Sequence, residues 1–262
     1  IFFGEHAVVY GYKGITIPLP QMTVDVELKE TNIIQERDEI ISFISDVCGI
    51  NDRTEININS TIPVGRGLGS SAALSIAIAR AKKLTNIREI ADKCEKFIHG
   101  NPSGIDVNQV LSDTPLLFSK KDGAIPLDFN LDSYLLIIDT GVIGITKETL
   151  KHIKQNFEKY KSYIDELGEI TEKVIEPLKK KAIEIVGEYM YKAHYLLQKL
   201  GVSHESNDDV VNICKNNGAL GAKLTGGGAG GCCIALSKTK ENAEKIQNEL
   251  AKKGYKSWIV TV

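Results

Sequence analysis

The most informative stretch of the sequence is Pro63-Val64-Gly65-Arg66-Gly67-Leu68-Gly69-Ser70-Ser71-Ala72-Ala73. Glycines remove side chains, so consecutive backbone N–H groups can converge on an anion. Residues 71–79 are apolar nearly all round, which predicts a buried helix whose N-terminus faces the same anion. The two serines can cap that helix, and a hydroxyl there can reach a phosphate-bound magnesium ion. A glycine turn with a serine cap, which any α+β protein can contain, explains this stretch equally well.

A second group of polar residues surrounds a strong turn signal, Asn101-Pro102-Ser103-Gly104. Glu95 and His99 are four residues apart and share one face of a predicted helix. Asp106 follows the turn, which is expected to hold it close to Glu95. One carboxylate of such a pair can ligate a hard cation while the other takes a proton from a substrate hydroxyl. The alternative is that Ser103 and Asp106 only cap a helix.

Two further segments carry candidate binding residues. The stretch Lys223-Leu224-Thr225-Gly226-Gly227-Gly228-Ala229-Gly230-Gly231-Cys232 has five glycines in six positions, more than a hairpin requires. This density predicts close approach to a ligand. The segment Gly4-Glu5-His6-Ala7-Val8-Val9-Tyr10-Gly11 places a charged pair after the first strand. That pair either binds a polar substrate or forms an ordinary salt bridge of a loop.

Composition narrows the class of protein. The chain is 42% hydrophobic and 25% charged, values typical of soluble globular proteins. A net charge of -2 and a pI near 6.3 give no basic surface for nucleic acid or an anionic membrane. No apolar stretch is long enough to predict a membrane span. The five cysteines form no C-x-x-C pair, which argues against a zinc site and favours a reduced, cytoplasmic setting.

The distribution of apolar residues predicts an α+β chain, strand-rich in its N-terminal half and helix-rich in its C-terminal half. A long helical stretch over 147–200 is expected to be interrupted near Gly168 and Pro177. The other predicted elements are strands at 22–28, 56–59, 134–138, 232–236 and 258–262, and a helix at 241–252.

Taken together and in this order, these segments resemble the GHMP kinases, a family named for galactokinase, homoserine, mevalonate and phosphomevalonate kinases. The three motifs of the family correspond to residues 4–11, 63–73 and 223–232. Within the family, residues 4–11 and 99–106 are most similar to the mevalonate kinases. The similarity extends over essentially the whole chain.

The resemblance implies a fold and an activity. The fold is the two-domain GHMP kinase fold, α+β, with an N-terminal ribosomal protein S5-like domain over 1–130 and a ferredoxin-like domain over 131–262. An active site is expected in the cleft between these domains. The implied reaction is phosphorylation of the C5 hydroxyl of mevalonate, using ATP and Mg²⁺, in isoprenoid biosynthesis. The family also implies a homodimer.

The resemblance also implies roles for individual residues. Asp106 corresponds to the catalytic base, and Ser71 and Glu95 correspond to magnesium ligands. The positions that match substrate-binding residues are Glu5, His6, Asp106, Thr140 and Gly226. The positions that match ATP-binding residues are Pro63, Gly65, Arg66, Gly67, Leu68, Gly69, Ser70, Ser71, Ala72, Gly227 and Gly228.

Two alternatives remain open from the sequence. The substrate could be that of another family member, such as phosphomevalonate or homoserine kinase, although phosphomevalonate requires extra cations and the sequence has no arginine cluster. A non-catalytic metabolite sensor on the same fold is the other alternative. The opening residues Ile1-Phe2-Phe3 have the character of a strand interior, which predicts that residues upstream are missing. A lysine that mevalonate kinases carry before their first motif would lie among them.

Overall fold

The computed structural model describes residues 1–100, 102–144 and 146–262 and divides the chain into two compact units. Unit 1 comprises Ile1–Ile17, Gly65–Leu68 and Thr114–Val262. Unit 2 comprises Pro18–Val64 and Gly69–Asp113. The glycine-rich stretch therefore passes from unit 1 to unit 2 at the bond between Leu68 and Gly69. The domain boundary predicted at 130 stays a prediction, and Asn101 of the predicted turn lies outside the described residues.

In the described part of unit 2, a two-stranded antiparallel sheet is combined with four helices. The strands β2 and β3 pair so that Leu28 lies opposite Ile56. Buried aliphatic residues of the first three helices, including Ile44, Ile78 and Ile90, form one core cluster. The elements are β2 (Val24–Glu30), α1 (Glu39–Cys48), β3 (Thr54–Ser60), α2 (Ser70–Ala81), α3 (Ile87–His99) and α4 (Ile105–Val110).

The helix predicted after the glycine-rich stretch is confirmed as α2. None of its residues from Ser70 to Ala79 is exposed, as the apolar pattern predicted. Its N-cap is Gly69, whose φ of 69° is left-handed, and no side chain caps the helix. The expectation that the serines cap it is therefore wrong, because both serines already lie within the first turn.

The described residues of unit 1 form two antiparallel sheets. One has the strand order β1-β4-β5 and the other has the order β7-β8-β6-β9. The central strands of the larger sheet are almost wholly buried, which explains their continuous apolar runs. The strands are β1 (Gly14–Thr16), β4 (Leu116–Ser119), β5 (Gly123–Pro126), β6 (Tyr134–Asp139), β7 (Gly221–Leu224), β8 (Cys232–Ser237) and β9 (Lys256–Thr261).

The helices of unit 1 complete a ferredoxin-like arrangement. Five of them connect β6 to β7 and a sixth connects β8 to β9, which gives the β-α-β-β-α-β order of that motif. The helices are α5 (Thr146–Gln155), α6 (Phe157–Lys173), α7 (Ile175–Lys179), α8 (Ile183–Lys199), α9 (Glu205–Asn216) and α10 (Lys240–Lys252), besides a 3-10 helix over Ala7–Tyr10. The α+β class is confirmed.

One predicted helix interruption is wrong. Gly168 lies inside α6 and is buried there, and a Cβ atom at this position would lie 2.1 Å from Cδ1 of the Tyr12 ring. The glycine therefore makes room for an aromatic ring instead of ending the helix. The interruption predicted near Pro177 is present, because this residue lies in the short helix α7, which is separate from α6 before it and from α8 after it. No helix among the described residues is long and apolar enough to cross a membrane.

Candidate active site

The Glu5 carboxylate forms a fully buried ion pair with Lys223 in unit 1. Neither side chain has any exposed surface, and Lys223 Nζ also donates to the Leu224 carbonyl oxygen at 2.8 Å. The pair uses Glu5 Oε1, while Glu5 Oε2 is buried and has no hydrogen-bond partner among the described residues. Burial lowers the pKa of Lys223, and the Glu5 carboxylate opposes that shift. Glu5 thus presents one unpartnered acceptor in a buried setting.

His6 presents a second unpartnered acceptor beside it. Its Nε2 lies 3.1 Å from the Gly227 carbonyl oxygen, which can only accept, so Nε2 carries the hydrogen and Nδ1 carries a lone pair. Nδ1 is buried without a partner among the residues described. Burial lowers the pKa of His6 to about 4, so the ring is neutral near pH 7. Its φ of 58° is left-handed, and strain of this kind is concentrated at functional sites.

Thr140 directs its hydroxyl at the third motif. Its Oγ1 donates to the Gly231 carbonyl oxygen at 2.6 Å, and its backbone N–H donates to the same oxygen at 3.1 Å. The hydroxyl hydrogen is therefore already committed within the protein. A substrate contact from Thr140, as the family resemblance implies, stays a prediction.

Arg66 is held by the end of strand β6. Its Nε lies 3.2 Å from Asp139 Oδ1, and a terminal nitrogen donates to the Gly141 carbonyl oxygen at 3.1 Å. The other terminal nitrogen is buried and unpartnered among the described residues. The Arg66 carbonyl oxygen accepts from the backbone N–H of Cys232 at 3.0 Å. Arg66 therefore ties the loop at Gly65–Leu68 to the third motif within unit 1.

Two glycines of the third motif are required by the protein itself. Gly226 has a φ of 75°, and a Cβ atom there would lie 2.8 Å from the Gly67 carbonyl oxygen. Gly228 has a φ of 72°, and its Cβ atom would lie 2.1 Å from the Val202 carbonyl oxygen. Backbone conformation and close approach to other backbone therefore explain part of the glycine density, which the sequence attributed to a ligand.

The evidence for a ligand lies instead in the amide groups. Among the described residues, the backbone N–H groups of Gly226, Gly227 and Gly228 donate in none of the backbone–backbone hydrogen bonds of the loops. The carbonyl oxygen of Gly227, by contrast, accepts from both His6 and Thr149. The loop thus has its Gly227 carbonyl bound by protein while the three amides have no backbone acceptor, so these amides are candidates for binding an anion.

Unit 2 brings together three of the predicted polar residues. Ser71 Oγ lies 3.2 Å from His99 Nε2, and the same nitrogen lies 3.6 Å from Glu95 Oε2, which confirms that Glu95 and His99 share a helix face. Glu95 is only 2% exposed, and its Oε1 has no partner within the described part of the chain. Burial raises the pKa of Glu95, the Ser71 hydrogen bond and His99 oppose this rise, and Asp106 reinforces it.

Asp106 lies in the first turn of α4, beside the start of α2. A Cβ atom on Gly69 would lie 3.6 Å from Asp106 Oδ1, so the carboxylate is adjacent to the glycine that precedes Ser70. The residue is half-buried, and burial raises the pKa of its carboxyl group while His99 opposes the rise. The N-cap of α4 is Gly104, and Asp106 makes no cap.

The remaining predicted ATP-binding positions are divided between the units. Gly65, Gly67 and Leu68 belong to unit 1, whereas Pro63, Ser70 and Ala72 belong to unit 2. The roles of all of these residues stay predictions. The described residues contain no group of three or more His, Cys, Asp or Glu side chains that could hold a metal by themselves.

Sequence reasoning missed two buried residues of unit 1. Lys223 begins the third motif, and a lysine between apolar residues is a signal of a buried ion pair. Asn207, on α9, donates to the Gly230 carbonyl oxygen at 2.9 Å and accepts from the Gly230 N–H at 3.0 Å. Its sequence context gives no such signal, because only the fold brings it to the loop.

Comparison with known proteins places these features in one family. The GHMP kinases N terminal domain matches residues 33–112, and the GHMP kinases C terminal family matches residues 174–256. The chain is 30% identical to the mevalonate kinase of Thermococcus sibiricus, covering 92% of this chain and 88% of the relative.

Solved structures agree with the sequence comparison. The Methanococcus jannaschii mevalonate kinase is 26% identical, with a TM-score of 0.77 over 100% of this chain and 95% of that one. The L. major mevalonate kinase in complex with R-mevalonate is 24% identical, with a TM-score of 0.86 over 100% of this chain and 93% of that one. At 24% identity, the similarity to the L. major structure concerns the fold alone.

Proposed function

The chain belongs to the GHMP kinase family, and from this premise we propose that it transfers the γ-phosphoryl group of ATP to the C5 hydroxyl of mevalonate. The observation that carries the choice of substrate is the pair of buried, unpartnered acceptors at Glu5 Oε2 and His6 Nδ1. Buried acceptors require donors, because an unsatisfied polar group costs about 1–3 kcal/mol. Hydroxyl groups of a polyol acid such as mevalonate supply such donors. The relatives over the length of the chain are mevalonate kinases, which supports this choice.

Each unit separately offers backbone amides as a proposed phosphate-binding feature. The N–H groups of residues 226–228 in unit 1 would contact phosphate oxygens. In unit 2 the N-terminus of α2 supplies the unpaired N–H groups of its first turn and the positive end of the helix dipole. A triphosphate carries several negative charges, so both features favour ATP over a neutral ligand.

The residues at Ser71 and Glu95 fit a magnesium ion. Mg²⁺ prefers oxygen ligands and binds through one or two carboxylates together with substrate phosphates, so a site with few protein ligands is expected. Glu95 Oε1 is buried without a partner among the described residues, which a cation would remedy. When bound, Mg²⁺ would neutralise charge on the phosphates.

Asp106 is the proposed acceptor of the substrate proton. The C5 hydroxyl oxygen forms a bond to the γ-phosphorus, the bond from that phosphorus to the bridging oxygen breaks, and ADP leaves. The hydroxyl proton passes to an Asp106 carboxylate oxygen. Because burial raises the pKa of Asp106, the carboxylate is a stronger base than an exposed aspartate.

The proposal also covers the cellular setting and the oligomeric state. A cytoplasmic setting is supported by the five cysteines, all of them buried and free of disulfides. The homodimer implied by the family stays a prediction.

The test is ADP release with Mg-ATP and four alcohols offered separately: mevalonate, phosphomevalonate, homoserine and galactose. Turnover with mevalonate alone is the expected result. Preferred turnover of phosphomevalonate would overturn the choice of substrate. ATP binding without turnover of any of these alcohols would favour a metabolite sensor.

A further inference from the structure

Lys223 is buried to an extent that requires an explanation. It lies on strand β7 with no exposed surface, and lysine is almost never fully buried unless it is paired. Its ammonium contacts the Glu5 carboxylate, donates to the Leu224 carbonyl oxygen at 2.8 Å and lies 5.9 Å from the centre of the Phe3 ring. Each of these contacts lies within unit 1, so the cation is fully engaged by protein groups.

Stability alone does not account for this pair. Replacing a buried ion pair by apolar residues of similar volume is often neutral or stabilising, because desolvation offsets the attraction between the charges. A Glu–Lys pair in the core is therefore weak evidence of a structural role. What the pair does accomplish is geometric: Lys223 engages Oε1 of Glu5 and leaves Oε2 as the free acceptor.

Strand β7, which carries Lys223, is also held by a side chain of helix α8. The backbone N–H of Leu224, the next residue, lies 3.4 Å from His194 Nδ1, and His194 Nε2 lies 3.2 Å from Asp208 Oδ1. Lys223 itself stands opposite Ile234 in the ladder between β7 and β8. A side chain rooted at such a position can hold its partner in one orientation.

We propose that Lys223 is a positioning residue for the alcohol substrate, holding the Glu5 carboxylate so that Oε2 accepts a hydrogen bond from a substrate hydroxyl. Lys223 itself makes no contact with the substrate, because it has no exposed surface and its ammonium is engaged by Glu5, Leu224 and the Phe3 ring. This inference rests on the proposed function, in which Glu5 binds the alcohol. It adds a residue that acts only through Glu5.

The test is a double-mutant cycle on the full chain, measuring KM for the alcohol and KM for ATP separately. Lys223→Met should raise KM for mevalonate at least tenfold and leave KM for ATP within twofold, because the ammonium acts on Glu5. Glu5→Gln should also raise KM for mevalonate. In the Glu5→Gln background, adding Lys223→Met should change KM for mevalonate by less than twofold, since the ion pair is already absent. Lys238→Met, which removes an exposed lysine paired with Glu184, is the control and should leave both constants unchanged.

The outcomes separate the inference from the proposed function. An unaltered chain that phosphorylates none of the alcohols defeats the proposed function, and this inference with it. Normal turnover with a Lys223→Met variant whose KM values are unchanged defeats the inference alone. Effects that multiply in the double variant would show that Lys223 does not act through Glu5, which also defeats the inference. If Lys223→Met does not fold, the double variant Glu5→Gln/Lys223→Met replaces it, because neither of its two substituted side chains is charged. A KM for mevalonate equal to that of Glu5→Gln supports the inference, and a KM that differs more than twofold defeats it.

Discussion

Among single residues, Asp106 carries the most direct chemical consequence. A positioned general base contributes about 10²–10⁴-fold to the rate, so Asp106→Asn should lower kcat by at least a hundredfold. Substrate binding should change little, because the amide keeps the shape of the carboxylate. The raised pKa of Asp106 also predicts that kcat of the unaltered chain falls, as pH decreases, at higher pH than an exposed aspartate would cause.

Steady-state kinetics as a function of pH measure both effects. Asp113→Asn is the matched control, because Asp113 belongs to the same unit but is exposed. A decrease in kcat of less than tenfold in Asp106→Asn, with KM unchanged, would remove Asp106 from the role of base.

Glu95 is the second residue with a specific consequence. Glu95→Gln keeps the size of the side chain and removes its charge, so the magnesium concentration for half-maximal activity should rise at least about tenfold, a change that even outer-shell partners of metals produce. Glu89→Gln is the control on the same helix, since Glu89 is exposed and paired with Lys93. Magnesium titrations at saturating ATP measure the shift. Identical titrations for the two variants would show that Glu95 is not a ligand.

At the scale of elements, helix α9 holds the third motif through one side chain. Asn207 is fully buried, and its amide bonds both the N–H and the carbonyl oxygen of Gly230. Asn207→Ala leaves both groups of Gly230 without their partner, which should lower the free energy of unfolding by about 3 kcal/mol. Loss of the bond should also speed hydrogen exchange at the Gly230 amide.

Asn212→Ala is the control, because it makes the same substitution in helix α9 at a residue that does not contact Gly230. Asn212 is exposed on α9, so its replacement should change neither quantity by a measurable amount. Equal effects of the two variants, measured by urea unfolding and amide exchange, would assign the loss to helix propensity instead of the contact with Gly230.

The sequence predicted most elements because each has a local signal. The buried helix α2 and the strands β6 and β8 are confirmed where apolar residues run continuously. The signal failed at Gly168, because a glycine that makes room for Tyr12 looks in sequence like one that ends a helix. The serine caps failed for a similar reason, since Gly69 takes the N-cap position itself.

The motifs of the candidate site could be predicted from the sequence, but most contacts between residues of different motifs could not. Glu95 and His99 share a helix face, which their spacing of four residues dictates. Lys223 and Glu5 are 218 positions apart, and no periodicity in the sequence relates them. The same holds for Asn207 and Gly230. Contacts of this kind depend on packing between elements, which a single sequence does not encode locally.

For the molecule as a whole, two buried histidines predict how stability depends on pH. Burial lowers the pKa of His6 and of His194 from 6.5 to about 4, although the Gly227 carbonyl opposes the shift at His6 and Asp208 opposes it at His194. Between these pH values the two histidines bind protons in the unfolded chain and not in the folded chain, so their contribution to the free energy of unfolding falls as pH decreases. The contribution is fully present above about pH 6.5 and is lost by about pH 4.

Each shift corresponds to roughly 3 kcal/mol, so the two histidines together should make the folded chain markedly sensitive to acid. Urea unfolding at several pH values between 7 and 4 measures the dependence. His194→Gln preserves a donor and an acceptor but cannot titrate, so it should remove about half of the decrease that these two residues cause. A variant that loses stability as steeply as the unaltered chain would show that His194 is not one of the groups responsible.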